Sequence, residues 1–560
     1  MAGGTGGAAA GTPEAGPPAR RGPGTAGPGG PRRDLSPGTG LRPPGRAFTG
    51  DPPGENARPH DAGPDEVRTR CGAGACAAIA TTEVDMSVRQ RNVLWTFFCC
   101  GLGVAMVSLD NLVVITALPS IREDLGGSIQ QLEWTVNAYT LTYSVLMLTG
   151  AALGDRFGRR RMFGIGMGVF VVASAAAALA PGIGALIAAR AVQGLGAALL
   201  MPLNLTILTD AAPERRRGAL LGAMSAVEGV AIAMGPLLGG AVVEHLSWQW
   251  IFWINVPIGA VVLPAARWKL TESHGPSPRL DLVGTVLASA GLFGIVFGII
   301  NGHADHWTGA RVLLSLAGGA AVLSAFVLRE LRVEHPMFPM KLFRHRTFSA
   351  MNVAGLLMFA GMFGSVFLLT QFLQGPRGYS PLEAGLRILP WTAVPVVVAP
   401  LVGLVSDRVG GRTLVALGLA LQALGLGWIA ARVSPAVPYP SLVPALVLCG
   451  LGMTFYFTPT ANMVMSAVDA GERGMASGAI SALRELGGVL GIAVLASVFS
   501  AHGDLTTPDR FTDGMVPAVW TGVALIGCGA LAALLVPRRP RDNRSAGPEA
   551  AVPGCVGDLV

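Results

Sequence analysis

GAALGDRFGRRR, residues 150–161, lies between two apolar runs at about residues 135–153 and 162–180. Each run is long enough to cross the hydrocarbon core of a bilayer as an α-helix, which takes about 20 apolar residues. The short connection carries four arginines, and short arginine-rich loops lie on the cytoplasmic side of a membrane. Gly154 and Gly158 permit a tight turn there. The stretch therefore predicts two adjacent transmembrane helices joined by a cytoplasmic loop.

The acidic residue of this loop, Asp155, has two interpretations: it pairs with Arg159 in a plain turn, or it has a functional role. The stretch resembles the cytoplasmic loop between the second and third spans of major facilitator superfamily transporters, G-x-L-x-D-R-x-G-R-(K/R). Leu153 matches that pattern, and Ala151 stands in place of its first glycine. The resemblance implies an inner gate. Its residues here are Gly154, Asp155, Arg156, Gly158, Arg159 and Arg160.

The composition also indicates a polytopic membrane protein. Of the 560 residues, 51% are hydrophobic and 13% are charged, whereas average soluble domains carry about 25% charged residues. The net charge of +7 is better explained by the orientation of loops in a membrane than by nucleic-acid binding. The seven cysteines lack zinc-ligand spacing, so we expect neither a disulfide framework nor a metal site.

Fourteen apolar runs follow one another along the chain. Because they are long and lack the period-2 alternation of β-strands, they predict transmembrane helices and an all-α polytopic membrane protein. The predicted spans lie near residues 93–119, 135–153, 162–180, 182–208, 218–244, 250–266, 282–300, 311–329, 350–372, 383–405, 413–431, 441–466, 475–500 and 515–536. If the N-terminus is cytoplasmic, the inner segments hold 24 arginines and lysines and the outer loops hold six, which supports this orientation.

An internal repeat relates the first six spans to the last six. GLG at 194–196 recurs at 450–452, and Asp155-Arg156 recurs as Asp407-Arg408, at nearly the same offset. Two parallel six-helix halves with two extra central helices are therefore expected, as in the major facilitator fold. The predicted organisation is a disordered N-terminal extension (1–85), an N-terminal half (86–266), a linker with the two extra helices (267–345), a C-terminal half (346–537) and a disordered cytoplasmic tail (538–560).

Residues 1–85 are rich in Gly, Pro, Ala and Arg. Such a segment buries too little apolar surface to offset its ordering entropy, which predicts disorder. It also lacks the apolar core of a signal peptide. Two interpretations are open: a cytoplasmic tail, or a gene start placed too early, with translation beginning at Met86 directly before the first span.

Asp110 and Arg190 are ionisable residues inside apolar spans, which makes them functional candidates. Each lies eight or nine residues from the outer end of its span, so that a helical rise of about 1.5 Å per residue places both about 12–14 Å below that surface. The sequence therefore predicts that they face the interior of the N-terminal half at similar depth. The pair is either a static salt bridge or a proton site.

The residues around this pair carry a second resemblance. LDNLVVITALP, residues 109–119, resembles the L-D-x-T-V-V-N-V-A-L-P signature of fourteen-span drug:proton antiporters. RAVQGLG, residues 190–196, resembles the family's R-x-x-Q-G-x-G stretch. The resemblance implies roles in proton coupling for Asp110, Arg190 and Gln193.

GPLLGG, residues 235–240, ends the fifth span. Gly-Pro removes a helix hydrogen bond and permits a kink, and the glycines permit close helix packing. The stretch resembles the exporter motif G-x-x-x-G-P-x-x-G-G, with Ala231 in place of the first glycine. The antiporter residues implied are Gly235, Pro236, Gly239 and Gly240.

Glu228 and Glu485 lie near the middle of their spans, where transporters of this architecture bind substrates between the halves. Extra carboxylates there would suit a cationic substrate or a second proton. A bridge between Glu228 and Arg484 across the halves is the structural alternative. The candidate cavity residues are Tyr143, Glu228, Asn255, Gln371, Gln374, Tyr456, Asn462, Arg484 and Glu485.

The sequence predicts a secondary transporter that exports drugs or small amphipathic metabolites across the cytoplasmic membrane by alternating access. We find no GxxxxGK(S/T) loop and no clustered nucleophile–base set. We therefore expect a proton gradient as the energy source, no cofactor and no enzymatic activity. The expected partners are a small-molecule substrate, protons and the lipid bilayer, without nucleic acid, and the expected form is a monomer with both termini cytoplasmic. An importer or symporter on the same fold, a non-transport membrane protein such as a membrane-embedded enzyme, and a channel are the alternatives.

Overall fold

The computed structural model describes residues 64–213, 217–275, 281–302, 305–334, 336, 338, 340–465 and 473–536. Only the backbone is described for 64–92, 217–218, 400, 403–409, 461–462, 465 and 473–475. Within these ranges the chain forms sixteen α-helices and no strand. The predicted tail at 538–560 lies outside the described residues, as do residues 1–63 of the predicted extension.

The helices of the N-terminal half are α1 (Pro64–Leu125), α2 (Ile129–Phe157), α3 (Arg159–Ala178), α4 (Ile183–Ala211), α5 (Arg217–His245), α6 (Trp250–Trp253) and α7 (Asn255–Lys269). Two central helices follow, α8 (Leu282–Asn301) and α9 (Ala310–Glu330). The C-terminal half holds α10 (Arg346–Gln374), α11 (Pro381–Thr392), α12 (Val394–Val409), α13 (Gly411–Arg432), α14 (Val443–Met465), α15 (Arg473–His502) and α16 (Pro508–Leu534).

Thirteen helical segments of the described chain are long and apolar enough to cross a membrane. The predicted span near 135–153 falls in α2, which has the length of a span but is not among those thirteen. The reason is the polar content of α2, which includes Asn137, Thr140 and Ser144. These side chains are buried against other helices instead of facing lipid. Two predicted spans are each made of two helices, α6 with α7 and α11 with α12.

The N-terminal boundary differs from the expectation. The backbone is helical from Pro64, whereas the sequence predicts disorder up to residue 85. The segment from 71 to 82 is rich in alanine, which has the strongest intrinsic preference for helix.

Two sides of the helix bundle can be distinguished. The end of α2 and the start of α3 share one side with the ends of α4 and α7, because the Arg159 side chain binds Asp210 and its N–H donates to the Ser273 carbonyl oxygen at 2.9 Å. We call this the basic side. The opposite side holds the end of α1, where Asp124 accepts a 2.8 Å hydrogen bond from the Trp248 indole.

The halves are in contact on the opposite side. Glu244, near the end of α5, accepts a 3.0 Å hydrogen bond from the Leu382 N–H at the start of α11. Gln374, at the end of α10, donates a 2.8 Å hydrogen bond to the Thr116 carbonyl oxygen of α1. The structure therefore represents a state that is closed on the opposite side.

The central helices α8 and α9 pack against each other as a hairpin. A Cβ atom on Gly294 would lie 3.0 Å from the Gly319 Cα, so that the two backbones approach closely. α8 also packs against α2 and α15, one helix from each half. The hydroxyls of Thr149 on α2 and Thr285 on α8 are 2.8 Å apart. The hairpin is therefore in contact with both halves.

Candidate functional site

A buried ion pair between Asp110 and Arg190 lies inside the N-terminal half. Arg190 Nη1 donates a hydrogen bond to Asp110 Oδ2, and the two side chains are 0% and 1% exposed. The Arg190 Nε also donates to the Thr135 carbonyl oxygen at 3.2 Å. The predicted juxtaposition at equal depth is therefore present. A charge at this depth is tolerated because the partner and the hydrogen bonds compensate for lost hydration.

Gln193 completes the network one turn along α4. Its Oε1 accepts from Arg190 Nη1 at 2.7 Å, while its Nε2 donates to Asp110 Oδ1 at 2.8 Å. Ser174 on α3 accepts from Gln193 at 3.4 Å and from Asn255 Nδ2 at 2.9 Å. Both oxygens of the Asp110 carboxylate therefore have partners on α4, and the network extends from there to α2, α3 and α7.

Tyr139 separates this network from a cavity. The Arg190 guanidinium carbon lies 4.1 Å from the centre of the Tyr139 ring, a cation–π contact. The same ring lines the cavity, and so does Asn111, the neighbour of Asp110. The Oδ1 of Asn111 has no hydrogen-bond partner among the described residues. The Tyr139 side chain therefore has contacts with both the ion-pair network and the cavity.

The cavity lies between the two halves and has a volume of about 210 Å³. It is lined by side chains of α1, α2, α4 and α5 from one half and of α10, α11, α14 and α15 from the other. Most of the lining is apolar and adaptable, with five methionines and six aromatic rings. These are Met147, Met201, Met224, Met362, Met453, Tyr139, Tyr143, Phe359, Phe363, Trp391 and Phe457.

Three charged residues also line the cavity, namely Glu228, Arg484 and Glu485. They are close enough for their charges to interact. Among the described ion pairs, none joins Glu228 to Arg484 within 4.0 Å, so the direct bridge considered from the sequence is not formed in this state. The Arg484 guanidinium instead lies 4.8 Å from the Phe457 ring and 5.7 Å from that of Tyr456.

Tyr143, Glu228, Arg484 and Glu485 thus occupy the cavity predicted for them, but other predicted positions lie elsewhere. Asn255 is buried in the ion-pair network. Gln371 and Gln374 lie near the opposite side, where Gln371 lines a separate pocket with Pro119 and Phe511. Tyr456 is fully buried behind the wall beside Gly355. The Asn462 side chain lies outside the described residues. The face of the helix on which a residue lies decides what its side chain lines.

Glu133 is a buried acid that the sequence analysis missed. It is 1% exposed, and its Oε2 has no hydrogen-bond partner among the described residues. Asn137, four residues later on the same face of α2, is also fully buried, and both side-chain polar atoms lack partners there. The predicted span began at residue 135, which left Glu133 outside. The helical spacing of Glu133 and Asn137 was the available signal.

The connection between α2 and α3 carries the predicted inner-gate residues, and we call it the gate loop. In this state it is bound to its own half. Arg159 binds Asp155 at 2.7 Å and also binds Asp210. Arg160 pairs with Glu272 at 3.5 Å, after α7. The pairing of Asp155 with Arg159 is therefore present. Gly158 has a positive φ of 101° between α2 and α3, a backbone conformation that favours glycine.

The GPLLGG residues pack α5 against two helices. Cβ atoms on Gly235 and Gly239 would lie 2.8 Å from Leu112 Cβ and 3.1 Å from Val113 Cα, directly after Asp110-Asn111 on α1. Gly240 meets the Pro381 carbonyl oxygen of α11. The motif therefore places α5 in close contact with both α1 and the C-terminal half.

Comparison with known proteins decides the family. The model of the family described as Major Facilitator Superfamily matches residues 100–492 and 351–554. The chain belongs to the Major Facilitator Superfamily. It is therefore a multi-pass membrane transporter and not an enzyme, and transporters of this superfamily bind small molecules within the membrane.

Relatives of this superfamily transporter include drug exporters. It is 36% identical over 414 residues to the multidrug resistance protein Stp of Mycobacterium tuberculosis, covering 74% of this chain and 77% of the relative. It is 34% identical over 427 residues to the tetracenomycin C resistance and export protein of Streptomyces glaucescens, covering 76% and 79%. The crystal structure of the nucleoside transporter NupG shares the fold, with a TM-score of 0.56 at 12% identity, covering 79% of this chain and 99% of that one.

Proposed function

We propose that this transporter exports drugs or small amphipathic metabolites across the cytoplasmic membrane in exchange for protons. The basic side would face the cytoplasm, with both termini there, and the working form would be a monomer. Export is supported by the relatives named for resistance and export. A proton gradient as the energy source is supported by a buried carboxylate beside the cavity.

The observation that carries the proposal is that Tyr139, which contacts Arg190 of the Asp110 network, also lines the cavity. Protonation of Asp110 removes its charge and leaves the Arg190 cation without a counter-ion in a low-dielectric site, which is costly. The network must then rearrange around Arg190. Because the ring of Tyr139 stacks on that cation, a rearrangement changes the cavity wall. A ligand in the cavity in turn changes the free energy of protonation.

Alternating access requires that the contact on the opposite side opens while the basic side closes. The α5–α11 contact, with Gly240 against Pro381 and Gly385 against Pro236, would separate in that step. The gate loop would then bind the other half on the basic side. In this scheme Asp155 biases the equilibrium between two states and does not touch the substrate.

The cavity supports a class of substrate. Methionine and aromatic side chains fit flat or irregular apolar surfaces, and Glu228 and Glu485 can offset a positive charge. We therefore infer a preference for aromatic amphipathic compounds, with cations favoured over anions. Arg484 is partly neutralised by its aromatic neighbours and by the two carboxyls.

The experiment is transport by the purified full-length chain in proteoliposomes. Ethidium serves as the cationic aromatic probe, and a proton gradient is imposed in either direction or removed by a protonophore. We expect ethidium to move against the flow of protons and to stop when the gradient collapses. Movement together with protons would establish the symporter alternative, and movement that is indifferent to the gradient would refute proton coupling.

A further inference from the structure

A second pair of acidic residues lies on the basic side, where the hairpin α8–α9 begins and ends. Asp281 caps α8: its Oδ1 accepts from the Gly284 N–H at 2.7 Å and from Arg329 Nη2 at 2.8 Å. Glu330 ends α9, and its Oε2 accepts from the Phe338 N–H at 2.7 Å. The Asp281 side chain and the Glu330 residue are both 3% exposed.

The other two carboxyl oxygens face each other. A Cβ atom on Gly284 would lie 2.7 Å from Glu330 Oε1 and 2.9 Å from Asp281 Oδ2, so both oxygens border one small space. The two carboxyl groups are close enough for their charges to interact. Within the described part of the chain, neither oxygen has a hydrogen-bond partner. Two ionised carboxylates repel each other and only accept hydrogen bonds, so a proton on one of them would relieve the repulsion and give both oxygens a partner.

We propose that Asp281 and Glu330 share one proton and form a pH-sensitive clasp, which fastens the hairpin α8–α9 to the connection that leads into α10. The clasp is separate from the Asp110 network and from the cavity. It does not depend on the direction or the substrate of transport.

Within the clasp the negative charge belongs to Asp281. Burial alone would raise the pKa of Asp281, but hydrogen bonds from Arg329 and from the Gly284 N–H outweigh it and hold the pKa below its usual value. Glu330 has one backbone donor and no cation of its own in the described structure. The shared proton therefore resides on Glu330 and is donated to Asp281 Oδ2.

Among the described residues, Arg329 is the cation that binds the pair and can compensate for loss of this proton. Arg329 comes from α9 and already binds Asp281. α2 faces α8 through the Thr149 hydroxyl, and α15 faces it through Val489 and Ala493. Deprotonation would leave two buried carboxylates in contact beside one guanidinium. Their repulsion at this distance disfavours the closed pair.

Opening of the clasp would reach the C-terminal half. Phe338, held by Glu330, stacks on Phe343 with ring centres 5.7 Å apart. Phe343 contacts Phe348 in the first turn of α10 at 5.1 Å. Loss of the Glu330–Phe338 hydrogen bond therefore loosens a continuous aromatic contact between the hairpin and α10.

Hydrogen exchange of the full-length protein in nanodiscs tests the clasp. Above the ordinary pKa of a solvated glutamate, about 4.3, opening releases one proton. The open fraction should therefore rise about tenfold per unit of pH in that range, since the closed clasp binds one more proton than the open one. After correction for the intrinsic pH dependence of exchange, the Phe338 amide should show this rise. Glu330→Gln should abolish it, because the amide donates to Asp281 and accepts from Phe338 at every pH.

Two further variants complete the test. Asp281→Asn should also remove the pH dependence, since the asparagine amide can donate to an ionised Glu330. This variant replaces Glu330→Gln as the test if Glu330→Gln does not fold. Asp305→Asn is the matched control, because Asp305 pairs with Arg311 at the other end of the same hairpin; it should behave as wild type. A wild-type pH profile in Glu330→Gln or Asp281→Asn would overturn the proposal. So would an equal loss in Asp305→Asn.

Discussion

The guanidinium of Arg190 lies 4.1 Å from the centre of the Tyr139 ring, and that ring is also part of the cavity wall. Tyr139 is fully buried, and its hydroxyl donates to the Val107 carbonyl oxygen at 3.4 Å. One aromatic side chain therefore has contacts with an ion pair, a neighbouring helix and the cavity. Three of the following predictions concern this region.

Asp110→Asn should reduce gradient-driven efflux to background while the protein stays in the membrane, because an amide cannot take up a proton at this site. The substitution leaves the buried Arg190 unpaired, which costs about 3–5 kcal/mol of stability. The measurement is ethidium efflux from inverted vesicles at matched protein levels. Asp513→Asn, an exposed acid on α16, is the control and should transport normally.

The double variant Asp110→Asn with Arg190→Gln separates coupling from folding. It removes both charges, so that thermal stability should recover relative to the single variant, while efflux stays at background. Wild-type efflux by Asp110→Asn would contradict the assignment of Asp110 as the proton site.

Tyr139→Phe should keep most of the transport activity, and Tyr139→Leu should lose most of it. Phenylalanine retains the ring that faces Arg190, whereas leucine removes a cation–π contact that contributes about 0.5–2 kcal/mol. The quantity to measure is the effect of substrate on proton binding by the detergent-solubilised protein. Equal behaviour of the two variants would show that the ring does not link the ion pair to the cavity.

Glu228→Gln should weaken export of cationic compounds about tenfold and leave neutral aromatic compounds almost unchanged, because a hydrogen bond or contact with a charged group contributes about 1.5–3 kcal/mol. Efflux of a cation and of a neutral compound of similar size should be compared in the same vesicles. Glu485→Gln tests whether the second carboxyl has the same role. An equal loss for both compounds would indicate that Glu228 has a structural role.

Asp155→Asn should lower the turnover rate more than the affinity for substrate. In the state that is open on the opposite side, we expect Asp155 to lie close to the backbone N–H groups of residues 473–477, since a helix N-terminus carries about half a positive charge. The present state is closed on the opposite side, and there Asp155 binds Arg159. Asp210→Asn removes the other partner of Arg159 and is the matched control.

Spin labels at Phe157 and Met475 would follow this contact directly. The distance between them should shorten when substrate and a proton gradient populate the state that is open on the opposite side. An unchanged distance, or a change in affinity alone in Asp155→Asn, would exclude the gate role.

The regular geometry of helices explains which parts of the site could be predicted. The depths of Asp110 and Arg190 followed from a fixed rise per residue, and the structure brings the two into contact. Tyr456 lies at the depth of the cavity, between the lining residues Met453 and Phe457, but faces away from it. A helix turns by about 100° per residue, and apolar spans give little sign of which face is inward. Packing of neighbouring helices fixes that rotation.

Two other features depended on context that the sequence does not carry. α2 was recognised as a span although its polar residues make it the least apolar of the spans. Its buried Glu133 was missed, because burial by neighbouring helices extends past the apolar run. The contact of Asp281 with Glu330 joins residues that are distant along the chain. No local spacing rule predicts such a pair, and only the hairpin α8–α9 brings it together.

The five methionines of the cavity have a consequence for how substrate range could change. An unbranched thioether side chain has three freely rotating bonds, so that Met147, Met201 and Met362 can follow ligands of different outline while the backbone stays in place. The cavity would then bind compounds of different shapes. A compound that the protein has not met before would not need a pocket shaped for it. Replacement of these methionines by β-branched residues would narrow the range of compounds recognised and leave the ion-pair network untouched.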